Sequence, residues 1–119
     1  MKNTLKKNEI IKEKTLINKI FFNSKSLDIF PFVIKYIFYN NKLSFNNKIM
    51  VSVPKSKIKN AVKRNLIKRR IKESYRLNKS IIKNHNLLVA FIYNSNEVLE
   101  YKIILDSMLK ILKNIKSSD

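Results

Sequence analysis

The chain has 119 residues, 45% of them hydrophobic, which is long and apolar enough for one domain with a modest core. Its 26 Lys and Arg residues against 8 Asp and Glu give a formal net charge of +18, which indicates a polyanionic partner, either nucleic acid or an anionic membrane surface. The sequence has no cysteine, which excludes disulfides and thiolate metal sites, and no glycine, which excludes a glycine-rich nucleotide-binding loop.

The N-terminal part predicts a loose arm followed by a helix. Residues 1–12 are basic and weakly patterned, which is typical of a loose basic arm. Between Glu13 and Asn23 the apolar residues recur at helical spacing. These apolar residues are Leu16, Ile17, Ile20 and Phe21. We expect them to pack in the core, with the alternative that Phe21 lies at the edge of a cleft and contacts a nucleotide.

Two predicted strands follow, separated by a polar loop. Alternation over Phe32–Tyr39 predicts a strand with one fully apolar face and a second face that contains Lys35. The second strand covers Lys48–Val53 and ends at Pro54. We expect these two strands to pair with each other in antiparallel orientation.

The most informative stretch runs from Asn60 to about Asn78 and predicts a helix with two unlike sides. Asn60 is a suitable N-cap. The inward side is formed by Ile67, Ile71, Ser74 and Tyr75. The outward side carries Arg64, Asn65, Lys68, Arg69, Lys72 and Arg76. Like charges one turn apart cost an isolated helix about 0.2–0.5 kcal/mol per pair. A helix side that is this basic therefore indicates an anionic partner, such as a row of phosphates. Lys55 and Lys57 in the preceding loop extend the same surface.

The last part of the chain predicts a buried strand and a closing helix. Leu87–Tyr93 is a continuous apolar run that suits a strand in the centre of a sheet. Asn94 and Glu97 resemble a capping box for the helix that follows, which has a broad apolar stripe. We expect residues 116–119 to fray, and we expect residues 1–119 to form a single domain.

The sequence has no pattern typical of a protein active site or metal site. His85 is the single histidine and lies in a predicted turn without a second ligand nearby. The eight acidic residues are scattered, whereas a nuclease acting through two metal ions needs clustered carboxylates. We therefore expect no catalytic and no metal-ligating residue, and a binding function in which a partner performs any reaction.

The segments Ser52–Lys55 and Ala61–Arg76 resemble the signature of the bacterial ribonuclease P protein subunit, an A-V-x-R-N-R-x-K-R helix after an S-V-x-K strand end. The resemblance extends over most of the chain, because the remaining predicted elements fall in the family's order. Leu66 stands where the family usually has arginine. That cationic contact is therefore either absent or supplied by Arg70 or Lys63.

The resemblance implies a fold, an α/β (α+β) two-layer sandwich similar to a ribosomal-protein domain. The implied order is α-β-β-β-α-β-α, with a left-handed β-α-β crossover, which is rare among proteins. The additional strand that this order needs fits the stretch near Lys25–Ile29.

The resemblance also implies a function, that of the RNA-binding subunit of ribonuclease P, the endonuclease that removes the 5′ leader of precursor tRNA. The implied partners are the catalytic RNA and precursor tRNA, with no small-molecule substrate. The RNA performs the hydrolysis with Mg²⁺ that it mainly binds itself. The predicted RNA-binding residues are Lys55, Lys57, Arg64, Asn65, Lys68, Arg69, Lys72 and Arg76. The predicted lining of the cleft for the 5′ leader is Ile17, Phe21, Val33 and Lys35.

Three other functions fit part of the pattern. A structural ribosomal RNA-binding protein has similar charge and fold but would have no role in tRNA processing. A helix-turn-helix DNA-binding protein is disfavoured because strands flank the basic helix. A membrane-surface protein is disfavoured because the apolar stripe lacks tryptophan. Because the sequence also lacks the roughly 18 consecutive apolar residues of a membrane span and an apolar signal-peptide centre, we expect a cytoplasmic location.

Overall fold

A computed structural model of the protein describes residues 5–6, 9–11, 17–18, 25–38, 47–82 and 87–117. Phe21, His85 and most of the predicted first helix lie outside these residues, although residues 17–18 are helical. The elements are β1 (Lys25–Ile29), β2 (Phe32–Phe38), β3 (Lys48–Ser52), α1 (Ala61–Asn78), a 3₁₀ turn (Lys79–Ile81), β4 (Leu87–Tyr93) and α2 (Tyr101–Ser117). This mixed α+β order confirms the predicted fold class, including the strand near Lys25.

The four strands form one sheet in the order β1-β2-β4-β3. β4 is antiparallel to β2 and parallel to β3. The prediction that β2 and β3 are direct neighbours is therefore wrong, because β4 lies between them. β4 is apolar on both faces and thus suits a central position, and this position agrees with its prediction.

α1 is the crossover that joins the parallel strands β3 and β4. Parallel neighbours cannot be joined by a tight hairpin, so the chain must leave the sheet and return across one face. The left-handed sense of this crossover stays a prediction from the resemblance.

The main core lies between one face of the sheet and the two helices. α1 buries the four residues that were predicted to face inward, Ile67, Ile71, Ser74 and Tyr75. α2 contributes a stripe that includes Ile104, Met108 and Ile111, none of which is exposed to solvent. Fully burying side chains of this size stabilises the fold by roughly 1.5–3 kcal/mol each, so these stripes fix the orientation of both helices.

The opposite face of the sheet carries a smaller apolar cluster. Ile11, Leu88 and Ala90 are buried there, and Ile17, Ile37 and Met50 pack against them. The face of β2 that contains Lys35 is half-buried, whereas Phe32, Ile34 and Tyr36 on the other face are buried. The predicted division of β2 into a core face and a second face is thus confirmed up to Ile37, whereas Phe38, at the end of the apolar face, is exposed.

Residues 9–11 are docked on the fold rather than part of a loose arm. Ile10 forms a parallel bridge with Ile49, and the backbone N–H of Ile11 donates to the carbonyl of Ile49 at 2.8 Å. Glu9 forms an ion pair with Lys79, with Nζ and Oε1 2.9 Å apart. The expectation of a loose arm to residue 12 is incorrect for residues 9–11, because this segment pairs with the outer edge of β3 at Ile49.

The start of α2 also differs from the prediction. The helix begins at Tyr101, and the Glu100 carbonyl accepts from the N–H groups of Ile103 and Ile104. The Asn94 N–H instead donates to the carbonyl of Pro31 at 2.7 Å, so the expected capping box is absent. α2 continues to Ser117, and fraying beyond it concerns residues outside the described part.

Candidate nucleic-acid interface

The entrance to α1 is held without glycine. The Asn60 side chain accepts a hydrogen bond from the N–H of Lys63 at 3.1 Å, which confirms the predicted N-cap. Upstream, the carbonyl of Pro54 accepts from the N–H groups of Lys57 and Ile58. Ile58 is buried and anchors this loop. Of the two lysines predicted to bind RNA here, Lys55 is exposed and Lys57 is half-buried.

The outward side of α1 is a compact cationic arc. At about 3.6 residues per turn, the members of this arc fall within about 100° of the helix circumference. They are Asn65, Lys68, Arg69, Lys72 and Arg76. Asn65, Arg69 and Lys72 are exposed, while Lys68 and Arg76 are half-buried.

Arg64 braces the loop that precedes the helix. Its Nη1 donates to the carbonyls of Ile58 at 3.0 Å and of Lys59 at 2.8 Å. Arg64 was predicted to contact RNA, and the structure shows that part of its guanidinium is already engaged. The same contact holds the backbone of Lys59 next to the start of α1, and Lys59 itself is exposed.

Arg76 is partly compensated by Glu73. The two side chains form an ion pair, and this hydrogen bond lowers the pKa of the exposed Glu73 carboxyl. Because Glu73 pairs with Arg76, three residues later, it does not compensate the charge of Arg69, four residues earlier.

The centre of the arc keeps its charges available. In the described residues no ion pair or side-chain hydrogen bond engages Lys68, Arg69 or Lys72. All four arginines of the chain lie in α1, and Arg69 alone among them has no such contact within the described part. A planar guanidinium can bridge two phosphate oxygens, so Arg69 is the best-placed phosphate ligand of the arc.

The predicted cleft residues share the second face of the sheet. Val33 pairs with Asp28 and Ile92, and Lys35 pairs with Ala90 one row further along. Ala90 is buried beneath the small cluster that Ile17 joins, whereas Val33 and Ile92 are only half-buried. The structure thus brings Ile17, Val33 and Lys35 to one face, and Phe21 lies outside the described residues.

The strand β3 of this sheet leads directly into the cationic loop. Ser52, the last residue of β3, pairs with Ile92 in the half-buried row, and the chain reaches Lys55 three residues later. Sequence reasoning missed Ser52 and Ile92 as lining of this row. The continuous apolar run of β4 indicated burial on both faces. It gave no sign that Ile92, near the end of the strand, is only half-buried.

Two other kinds of site are absent from the described part of the chain. No group of three or more His, Cys, Asp or Glu residues there could hold a metal ion. None of its helices is both long and apolar enough to cross a bilayer.

Comparison with known proteins identifies the family. The sequence model of the family named Ribonuclease P matches residues 5–116. The ribonuclease P protein component of Clostridium novyi is 37% identical over 109 residues, which cover 92% of this chain and 95% of that protein. The chain belongs to the ribonuclease P protein family. The corresponding component of Porphyromonas gingivalis is 28% identical over an alignment of 124 positions, which covers 96% of this chain and 90% of that protein.

Solved structures agree with this assignment. A mutant of the Staphylococcus aureus RNase P protein superposes with a TM-score of 0.79 at 29% identity, over 92% of this chain and 90% of that one. The RNase P protein of Thermotoga maritima shares the fold, with a TM-score of 0.70 at 21% identity over 82% and 89% of the two chains. Membership makes the chain an RNA-binding subunit of ribonuclease P in tRNA processing, and the structural ribosomal alternative does not hold.

Arg70, one of the two residues that could supply the contact of the arginine usual at Leu66 in the ribonuclease P motif, is partly engaged within the fold. Nη1 of Arg70 donates to the carbonyl of Leu99 at 2.6 Å, and the side chain is half-buried between α1 and the start of α2. Arg70 therefore joins two elements of the fold. Lys63, the other candidate for that contact, is exposed in the first turn of α1.

Proposed function

We propose that the outward arc of α1 and the loop from Lys55 to Lys59 bind the catalytic RNA and the nearby phosphates of its substrate. One observation carries this proposal: Lys68, Arg69 and Lys72 share one side of a helix whose other side is fixed in the core. Their charges are therefore held in place before any RNA arrives. Pre-organised cations lose less freedom on binding than cations on a mobile chain.

The partly open row of the sheet is the proposed track for the single-stranded 5′ leader of precursor tRNA. Val33 and Ile92 offer half-buried apolar surface there, and Lys35 supplies a cation on the same face. Apolar surface beside a cationic rim suits bases and backbone of a single strand. The leader would pass from this row to the lysines of the loop.

The protein's role in this proposal is to position and screen two RNAs that repel each other. Cations at their junction lower the repulsion, so less Mg²⁺ is required for assembly. The RNA, with Mg²⁺ that it mainly binds itself, performs the hydrolysis. The cytoplasm is the location that we propose.

A Mg²⁺ titration of leader removal tests the screening role. The cognate RNA is assayed alone, with the protein, and with Arg69→Ala/Lys72→Ala protein at low salt. We expect the protein to lower the Mg²⁺ concentration at half-maximal cleavage, and the double variant to lose most of this shift. Identical Mg²⁺ dependence with and without protein would refute the proposal.

The leader track is tested by placing a negative charge in it. Val33→Glu is expected to weaken binding of precursor tRNA with a leader, while binding of tRNA without a leader is unchanged. Val98→Glu makes the same substitution on an exposed loop away from the row and serves as the matched control. Equal effects on both substrates would place the leader elsewhere.

A further inference from the structure

The outer side of α2 is a second cationic surface, which the residues assigned to RNA binding above do not include. Its exposed lysines are Lys102, Lys110, Lys113 and Lys116. Asp106 is the single acidic residue in this helix. The opposite side of α2 is buried in the core, so the orientation of these lysines is as fixed as that of the arc on α1.

Helix stability does not explain this arrangement. A lysine in the last turn, such as Lys116, interacts favourably with the negative end of the helix dipole. Lys102 lies in the first turn, where the dipole disfavours a cation, and the first turn contains no acidic residue. Lys110, Lys113 and Lys116 follow each other at i,i+3 spacing, which adds repulsion. Only Asp106, one turn before Lys110, offsets any of it.

An acidic boundary separates this surface from the arc on α1. The contact from Arg70 to the Leu99 carbonyl places the start of α2 against one flank of α1. Exposed acids lie on this flank and on the contacted loop, namely Glu73, Glu97 and Glu100. The Glu73 carboxylate is near enough to Tyr101 to add to the rise in the pKa of that hydroxyl, which is caused mainly by burial. Acidic residues therefore lie between the two cationic surfaces.

We propose that the outer side of α2 binds the phosphate backbone of a second, double-stranded segment of the RNA partner. This inference rests on the proposed function, because it takes an RNA partner as given. From Lys102 to Lys116 the helix rises about 21 Å, enough to meet several phosphates of one duplex. Lysine acts as a point charge without the planar fork of arginine, so this contact reads charge and shape but no sequence.

An anionic membrane is the competing occupant, and the surface does not suit it. A helix that binds a bilayer inserts an apolar face, usually with large aromatic residues. On α2 the apolar face is already buried, and Ile103 is the one large hydrophobic residue of the helix that is exposed. Phosphates of a duplex require no insertion, so the duplex is the better match.

The test compares two variants of the full-length protein with equal net charge. Lys110→Gln/Lys113→Gln changes the proposed surface, and Lys6→Gln/Lys25→Gln removes two exposed lysines elsewhere. Affinity for a fluorescent RNA hairpin is measured over a range of salt concentrations. We expect the α2 pair to weaken binding several-fold and to reduce the slope of log K against log salt by about 1.8, since each duplex phosphate contact contributes about 0.9. The control pair should change the slope far less, and Lys110→Arg/Lys113→Arg should restore wild-type binding.

Equal loss in both glutamine pairs would overturn the inference, because only the total charge would then matter. Loss of binding to phosphatidylserine vesicles without loss of RNA binding would overturn it in favour of a membrane. Arg69→Ala/Lys72→Ala separates this inference from the proposed function. If that variant weakens RNA binding and the α2 pair does not, the inference alone fails; if neither does, both fail.

Discussion

The two sides of α1 follow different rules along the same 18 residues. On the inward side, Ile67 and Ile71 have no exposed surface, and their shape is set by the sheet and α2. On the outward side, Asn65, Arg69 and Lys72 are exposed and unpaired within the described part of the chain. The inward side supplies stability and orientation, which leaves the outward side free to be optimised for a partner.

The margins between these sides are where the simple division ends. Arg64 and Arg70 each donate to backbone carbonyls, and Arg76 pairs with Glu73. A cation at the margin can thus serve the fold, the RNA or both. The difference between the two sides teaches that a positive charge alone does not identify an RNA ligand on this helix. The contacts that each cation makes within the protein must be known first.

The largest effect is expected from the inward side. Ile71→Ala should lower the free energy of unfolding by about 2–5 kcal/mol, through lost burial and the cavity that remains. Urea denaturation followed by circular dichroism measures it. Val62→Ala is the matched control on the outward side, where Val62 is 76% exposed, and should change the value by less than about 0.5 kcal/mol. Similar losses from both variants would break the comparison.

Substitutions of two adjacent arginines sharpen the comparison between the two sides of α1. Arg70→Met leaves the Leu99 carbonyl without its donor and should cost about 1–3 kcal/mol of stability. Arg69→Met, one residue earlier, should leave stability unchanged and weaken RNA binding more than Arg70→Met does. The same denaturation assay and a binding titration separate the two arginines. If Arg69→Met lost more stability than Arg70→Met, or Arg70→Met lost more RNA affinity than Arg69→Met, the assignment of the two arginines to different sides would be wrong.

A smaller effect concerns alkaline pH. Burial, with a lesser contribution from the charge of Glu9, raises the pKa of Tyr75 in the folded protein. The unfolded chain then releases this proton at lower pH than the folded one. The contribution of Tyr75 to the free energy of unfolding is therefore fully present below pH about 10, and above it falls by up to about 1.4 kcal/mol per pH unit. Tyr75→Phe lacks this loss. The stability difference between wild type and Tyr75→Phe should therefore shift by about 1 kcal/mol in favour of the variant between pH 8 and 11. A constant difference would mean that Tyr75 is not buried.

Local patterns in the sequence predicted the elements of the fold well. The spacing of Ile67, Ile71, Ser74 and Tyr75 and the cap at Asn60 depend on residues within one or two turns, and all are confirmed. The neighbours of β2 were mispredicted, because strand pairing is decided by distant segments. Both faces of β4 are apolar and must be covered. β4 therefore lies between β2 and β3, although β2 and β3 follow each other in the sequence.

The candidate site was predictable in position but not in detail. The cationic arc follows from helical periodicity, so its members could be named from sequence. The engagement of Arg70 by Leu99 and of Glu9 by Lys79 joins residues 29 and 70 positions apart, which no local pattern encodes. The RNA-binding and cleft residues themselves stay predictions that the proposed experiments must test.

The most direct test of the account measures folding and RNA binding on one variant, Arg69→Ala/Lys72→Ala. We predict that its free energy of unfolding stays within about 0.5 kcal/mol of wild type. Its RNA affinity should fall, and the slope of log K against log salt should decrease by about 1.8. A destabilised protein whose RNA affinity and salt slope match wild type would contradict the account.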